Sequence, residues 1–159
     1  MVVMADKSVP TSDHIRDIIS FVEASPTSYH AVAELTRRLE QAGFQRLEET
    51  ESWPSVEGRR YVVRDGAVIA WITPEKVTPQ LGARIVGSHT DSPSFKLKPN
   101  ATVTNQGWQQ VGMEVYGGGL LNSWLDRDLG LSGRLVTCDG QAHLVRTGPI
   151  LRISQLAPH

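Results

Sequence analysis

The sequence predicts an α/β fold: helices plus a sheet over roughly the first 90 residues, followed by the start of an all-β segment. Three observations carry this. Apolar residues recur at helical spacing between Ile15 and Leu39, two strand-like runs flank an Asp-Gly link at 65–66, and after Pro93 short β-type segments alternate with Gly-rich turns.

The first ten residues show no periodicity and are expected to fray. Thr11-Ser12-Asp13 then supplies good helix caps, and Ile15, Ile18, Ile19 and Val22 follow on one face. This predicts an amphipathic helix that ends before Pro26, because the residue preceding a proline resists the helical region. A second helix is predicted from Thr27 or Ser28 to Ala42. Val32, Leu35 and Leu39 keep the period, and Gly43 is placed to end it. Tyr61–Arg64 and Ala67–Ile72 read as a hairpin closed by Asp65-Gly66, residues that tolerate positive φ. Ala83–Gly87 is predicted as a short buried strand running into Ser88-His89-Thr90-Asp91-Ser92-Pro93, and polar groups at the end of a core strand are a common site geometry in α/β folds. Phe95–Val103, Gln109–Tyr116 and Arg134–Val145 are predicted β segments, the last turning at Asp139-Gly140, with a possible helical turn near Leu125. No internal repeat or low-complexity tract is present.

Composition bounds the function. The chain has 159 residues, 16 Lys+Arg against 17 Asp+Glu, and a formal net charge of -1. No field of one sign points to nucleic acid or to a membrane surface. No apolar run approaches the ~18 residues of a membrane span, and the opening Met1–Met4 is too short for a signal peptide. A cytoplasmic protein is expected. The single cysteine, Cys138, leaves no internal disulfide and no thiolate-rich zinc site, and is expected to be a small strand residue. Length alone is that of one ordinary complete domain.

His89-Thr90-Asp91 is the sharpest chemical feature. In an extended stretch residues i and i+2 share a face, so imidazole and carboxylate can meet. Such a pair is either a hydrogen-bonded structural unit or a zinc ligand with the carboxylate that fixes its tautomer. Ser88, Ser92 and Ser94 raise a serine-hydrolase alternative. Triad residues, however, converge from separate elements, and no Gly-x-Ser-x-Gly elbow is present. Tyr116-Gly117-Gly118-Gly119 lacks the Lys-Ser/Thr ending of a phosphate loop and reads as a turning connection. Asp126-Arg127-Asp128 reads as a local ion-pair network, Glu48-Glu49 as a solvated turn. His14 and His143 read as structural residues, and His30 as a cap or packing residue near a helix start.

Taken together, four segments resemble the M18 family of zinc aminopeptidases, the aspartyl aminopeptidase type. They are Ser-Pro-Thr-Ser-Tyr-His-Ala-Val (25–32), Val-Gly-Ser-His-Thr-Asp-Ser-Pro (86–93), Gly-Trp-Gln-Gln-Val-Gly-Met-Glu-Val-Tyr-Gly-Gly-Gly (107–119) and Ser-Trp-Leu-Asp-Arg-Asp-Leu-Gly-Leu-Ser-Gly-Arg (123–134). They match in order and spacing, and cover nearly the whole chain after residue 11. The resemblance implies a flexible 1–10, the N-terminal part of a zinc-peptidase catalytic α/β domain over 11–93, and part of an inserted, mostly β dimerisation domain over 94–159. It implies that His89 is a metal ligand in a two-zinc site and that Asp91 has a catalytic role, holding the imidazole and tuning the metal. His159 would match a substrate-binding histidine that reaches a neighbouring subunit. Substrates would be peptides with a free N-terminus, and the protein a homo-oligomer.

The family's other ligands and its general base lie downstream and have no counterpart here. A catalytic zinc takes about three protein ligands plus a water. The resemblance therefore implies a chain inactive alone, belonging to a metalloaminopeptidase; the alternative is a non-catalytic oligomerisation or binding module derived from one.

Overall fold

The computed structural model describes residues 11–53, 57–76, 78 and 82–157; the expectations for 1–10 and for His159 fall outside them. Two compact units are present. The first runs to Thr90 and adds Gly133–Leu144; the second comprises Asp91–Ser132 and the chain from Val145 onward.

In the first unit the helices form where the period predicts. Helix α1 spans Thr11–Ala24 and α2 spans Ser28–Gln41. Thr27 caps α2: its Oγ1 accepts from the His30 backbone N–H at 3.3 Å and shares a 2.8 Å hydrogen bond with His30 Nδ1. The other end closes as a Schellman turn. The Phe44 N–H donates to Leu39 O and the Gly43 N–H to Glu40 O, with Gly43 left-handed at φ 80°.

Strands β1 (Gln45–Arg46), β2 (Gly58–Arg64) and β3 (Ala67–Thr73) form a sheet in the order β1-β2-β3, parallel then antiparallel. Asp65 turns the hairpin at φ 51°. Gly66 matters for a different reason: a Cβ there would sit 2.6 Å from Ser28 Oγ, so the hairpin tip can approach α2 only without a side chain. The core of this unit is small. Ala31 and Val32 of α2 and Tyr61 and Val62 of the central strand are the buried apolar residues among those described.

The predicted strand at 83–87 is not formed. These residues are irregular and exposed, Ile85 by 89% and Val86 by 97%. An apolar run becomes a strand only with a hydrogen-bonded neighbour, and no described strand pairs with it.

The second unit carries β4 (Ser94–Asn105) and β5 (Trp108–Tyr116), an antiparallel hairpin turned by Gln106 and Gly107 at φ 52° and 78°. The register shifts between Leu97 and Thr102, where Pro99, which has no N–H to donate, sits in the bulge. A 3-10 turn follows at Leu121–Trp124, and Trp124 meets Phe95 edge-on at 5.5 Å. Strands β6 (Ser132–Val136) and β7 (Ala142–Arg146) form the last hairpin, with Gly140 at φ 83°; its Gly133–Leu144 portion belongs to the first unit. Cys138 lies exposed in that turn and not in a strand. No described helix is long and apolar enough to cross a membrane.

Candidate functional site

The site residues expected from the sequence divide between the two units, His89 in the first and Asp91 in the second. His89 is exposed and lies in irregular backbone. The hydroxyl of its neighbour Ser88 donates to the His89 carbonyl oxygen at 3.2 Å, a backbone contact that does nothing to activate a serine nucleophile. Thr90 is tied into the first unit, its Oγ1 donating to Gly66 O at 2.6 Å. The hairpin tip that approaches α2 thus also holds the backbone beside His89.

Asp91 is tied into the second unit. The phenol of Tyr116 donates to Asp91 Oδ2 at 2.6 Å. The hydrogen bond and the carboxylate charge both stabilise the neutral phenol and push the Tyr116 pKa up. Register explains the meeting: Tyr116 ends β5 opposite Ser94, three residues after Asp91. Gly117 follows at φ 72°, where a Cβ would lie 3.3 Å from Pro93. Tyr116 is absent from the sequence-level site residues. Its signal is a pairing of two strands, which no local motif reports.

The donor chemistry of His89 suits zinc, whereas the donor number does not. Among the described residues no three His, Cys, Asp or Glu side chains gather so as to hold a metal ion. The acidic pairs that the sequence singles out are engaged elsewhere. Glu48 pairs with Arg46 at 2.7 Å and Glu49 with Arg64 at 2.8 Å. Asp126 and Asp128 do not form the expected local network around Arg127. Asp126, at φ 52°, accepts from the Gln155 N–H at 3.1 Å, Asp128 pairs with Arg152 at 2.6 Å, and Arg127 donates to the Ser123 carbonyl. His14 and His143 are exposed on α1 and β7.

A second cluster lies within the first unit. The Arg134 guanidinium stacks on Tyr29 at 4.3 Å and pairs with Asp65 at 2.5 Å, beside an open cleft of about 380 Å³ lined also by Val32, Thr36 and Leu144. It holds no nucleophile or metal-ligating group beyond Asp65, which Arg134 already engages.

Comparison with known proteins adds context. Residues 21–159 match the family model described as aminopeptidase I zinc metalloprotease (M18). A probable M18 family aminopeptidase 2 of Streptomyces avermitilis is 53% identical over 147 residues, 92% of this chain and 34% of the relative. One from Mycobacterium leprae is 45% identical, over 90% of this chain and 35% of its own length. The chain thus spans about a third of the length of the curated relatives it matches. The crystal structure of yeast aminopeptidase 1 superposes with a TM-score of 0.83 at 32% identity, covering 91% of this chain and 36% of that one. A dodecamer structure of the Saccharomyces cerevisiae protein gives 0.82 at 32% identity, covering 91% and 36%. These neighbours share the mixed α/β architecture.

Proposed function

Since the chain belongs to the M18 family of zinc aminopeptidases, we propose that it is the N-terminal third of a metalloaminopeptidase that releases the first residue of peptides at a two-zinc site. His89 is one metal ligand in this reading, and Asp91 is the carboxylate that orients its imidazole. The observation that carries the proposal is the His89-Thr90-Asp91 segment itself. It leaves an imidazole exposed while hydrogen bonds hold the two residues that follow it, Thr90 to Gly66 and Asp91 to Tyr116. An exposed imidazole anchored through its neighbours can serve as a ligand, whereas a core histidine is enclosed.

Residues 94–159 are the dimerisation part in this reading, and His159 contacts substrate in a neighbouring subunit. The dodecameric yeast neighbour supports a homo-oligomer, and a cytoplasmic setting fits a chain with one cysteine. With one convincing ligand, the described chain cannot complete a catalytic zinc site, so residues 1–159 alone are expected to show no peptidase activity. That shortage also favours a second reading, a non-catalytic oligomerisation module.

The test is metal analysis of the full-length polypeptide carrying this chain, beside His89→Ala. The proposal expects loss of bound zinc and a fall in aminopeptidase turnover of at least about 10²-fold in the variant. Unchanged zinc content would refute the ligand assignment. A full-length polypeptide that assembles but neither binds zinc nor cleaves an aminoacyl substrate would establish the second reading.

A further inference from the structure

The β4–β5 hairpin of the second unit is a two-stranded sheet, and no described strand pairs with the outer edge of either strand. Two strands alone are marginal in water, and a free edge is a template for another chain. The two edges differ. Strand β4 carries Lys96, Lys98 and Pro99 and breaks register between Leu97 and Thr102. Charge, a missing N–H and a bulge all obstruct pairing along it. Strand β5, Trp-Gln-Gln-Val-Gly-Met-Glu-Val-Tyr, runs for nine residues with no proline, no lysine and a single charge, Glu114. Its ends present apolar surface, with Trp108 72% exposed and Val115 53%.

The order of residues along β5 points to what its edge fits. Laid antiparallel on a second copy of itself and centred on Gly112, the strand sets Trp108 opposite Tyr116, Gln109 opposite Val115, Gln110 opposite Glu114 and Val111 opposite Met113. Aromatic meets aromatic, amide meets carboxylate and apolar meets apolar, with no like charges opposed. Moving the centre to Glu114 would oppose two carboxylates. Pairing about a residue also matches positions of the same parity, so the alternate residues whose N–H and C=O groups face away from β4 meet one another. A strand from the rest of the polypeptide would require no such symmetry within β5. Gly112 adds an independent sign. Its φ is not positive, and a Cβ there would lie 3.5 Å from Ala101 O and 3.7 Å from Lys98 Cδ, ordinary contact distances. The hairpin itself therefore does not demand glycine, and a glycine inside a strand often marks where another backbone comes close.

We propose that β5 pairs with β5 of a second copy about a twofold axis at Gly112, joining two hairpins into a four-stranded sheet in the order β4-β5-β5-β4. The inference rests on the homo-oligomer reading above and names its surface. A twofold interface is self-complementary, so each contact across the axis occurs twice. The shared edge is about 30 Å long, and the guarded edges of the two β4 strands close the sheet on either side.

The experiment uses the full-length polypeptide with Cys138→Ser as background, because Cys138 is exposed. Gly112→Cys sets two thiols opposite each other at the axis, where opposed α-carbons lie about 4.5–5.5 Å apart, within disulfide reach. Oxidised glutathione should convert this variant to a covalent dimer on a non-reducing gel, whereas Thr104→Cys on β4 should stay uncross-linked. Gln110→Glu and Gln110→Lys test the register by sign. Gln110 is exposed and lies opposite Val103 in its own hairpin, so neither new charge meets a charged residue there. Across the axis it faces Glu114. The concentration at which the assembly half-dissociates, followed by sedimentation, should rise about 10-fold for Gln110→Glu and should not rise for Gln110→Lys. In an assembling parent, three results each overturn this inference and leave the homo-oligomer reading standing: no cross-link in Gly112→Cys, equal cross-linking in Thr104→Cys, or a midpoint for Gln110→Glu no higher than that for Gln110→Lys. A parent that stays monomeric overturns the homo-oligomer reading, and the inference with it.

Discussion

Tyr61 offers the most demanding test of the first unit. It is the one large side chain with no exposed surface among the described residues, at the centre of a core that otherwise consists of Ala31, Val32 and Val62. Its hydroxyl donates to Glu40 Oε1 on α2 at 2.6 Å, and its carbonyl accepts from the Leu47 N–H at 2.8 Å. Tyr61→Phe removes only the phenolic bond. A hydrogen bond to a charged acceptor contributes about 1.5–3 kcal/mol. Glu40 is exposed and water can take over its carboxylate, so the low end, about 1.5 kcal/mol, is expected. Tyr61→Ala adds a cavity costing about 3–5 kcal/mol, comparable with the entire stability of a small unit. Urea unfolding followed by tryptophan emission suits the measurement, because Trp53 and Trp71 stack at 5.8 Å in the same unit. Burial first, then the Glu40 carboxylate, push the Tyr61 phenol up to about 12. A raised folded pKa adds stability that is full below the unfolded value of about 10 and disappears as pH rises towards 12. Tyr61→Phe should remove that alkaline loss. A phenylalanine variant within about 0.5 kcal/mol of the parent, with its alkaline limb intact, would refute the reasoning.

Two further substitutions test the same unit. Glu34 receives Arg37 at 2.8 and 2.6 Å and Arg38 at 2.6 Å, while Arg38 reaches Asp17 on α1 at 2.8 Å. The hydrogen bonds from Arg37 and Arg38 hold the Glu34 carboxyl down to about 2, so its contribution is present above the unfolded value of about 4.3 and is lost as pH falls towards 2. Glu34→Gln should flatten this acid limb and cost about 1 kcal/mol at neutral pH, read from urea melts at pH 2.5 to 7. Gly66→Ala should destabilise by about 1–3 kcal/mol, because the new methyl meets Ser28 Oγ at 2.6 Å. Adding Ser28→Gly should recover most of that loss, and failure to recover would show that the close approach is not the cause.

Local chemistry was legible in the sequence wherever one element decides its own shape. The spacing of Ile15, Ile18, Val22, Val32 and Leu39 specified α1 and α2, Gly43 the Schellman turn, and Asp65-Gly66 the hairpin. Readings that depended on a distant partner were not legible. Residues 83–87 have the composition of a buried strand, yet burial and pairing are properties of a neighbour, and none of the described strands is that neighbour. Read locally, Asp126 and Asp128 pair with Arg127, because adjacency is all that a local reading offers. A left-handed backbone at Asp126 accompanies contacts to Gln155 and Arg152, both more than 20 residues away. Tyr116 reads in the sequence only as the start of a turning connection for the same reason, since its bond to Asp91 spans 25 residues. Of the candidate site, the sequence offers His89 and Asp91 as candidates, whereas the Tyr116 hydroxyl that bonds to Asp91 has no local signal.

These facts bear on why this chain alone should be a poor zinc protein even if ligand number is set aside. His89 follows directly on Arg84–Ser88, a stretch with no strand partner among the described residues and with Ile85 and Val86 almost wholly exposed. A ligand fixed at Thr90 on one side but approached by an unpaired segment on the other retains backbone freedom that metal binding must remove. Ordering one residue costs about 1–2 kcal/mol, so restraining the five residues 84–88 would take roughly 5–10 kcal/mol from any binding energy. Apparent zinc affinities of complete structural sites amount to about 10–16 kcal/mol with four ligands. One imidazole carries only a fraction of that, less than the ordering cost. Pairing of 84–88 with a neighbouring strand would remove the cost before metal arrives. On the reading proposed above, covering Ile85 and Val86 would remove that ordering cost and preorganise the His89 imidazole.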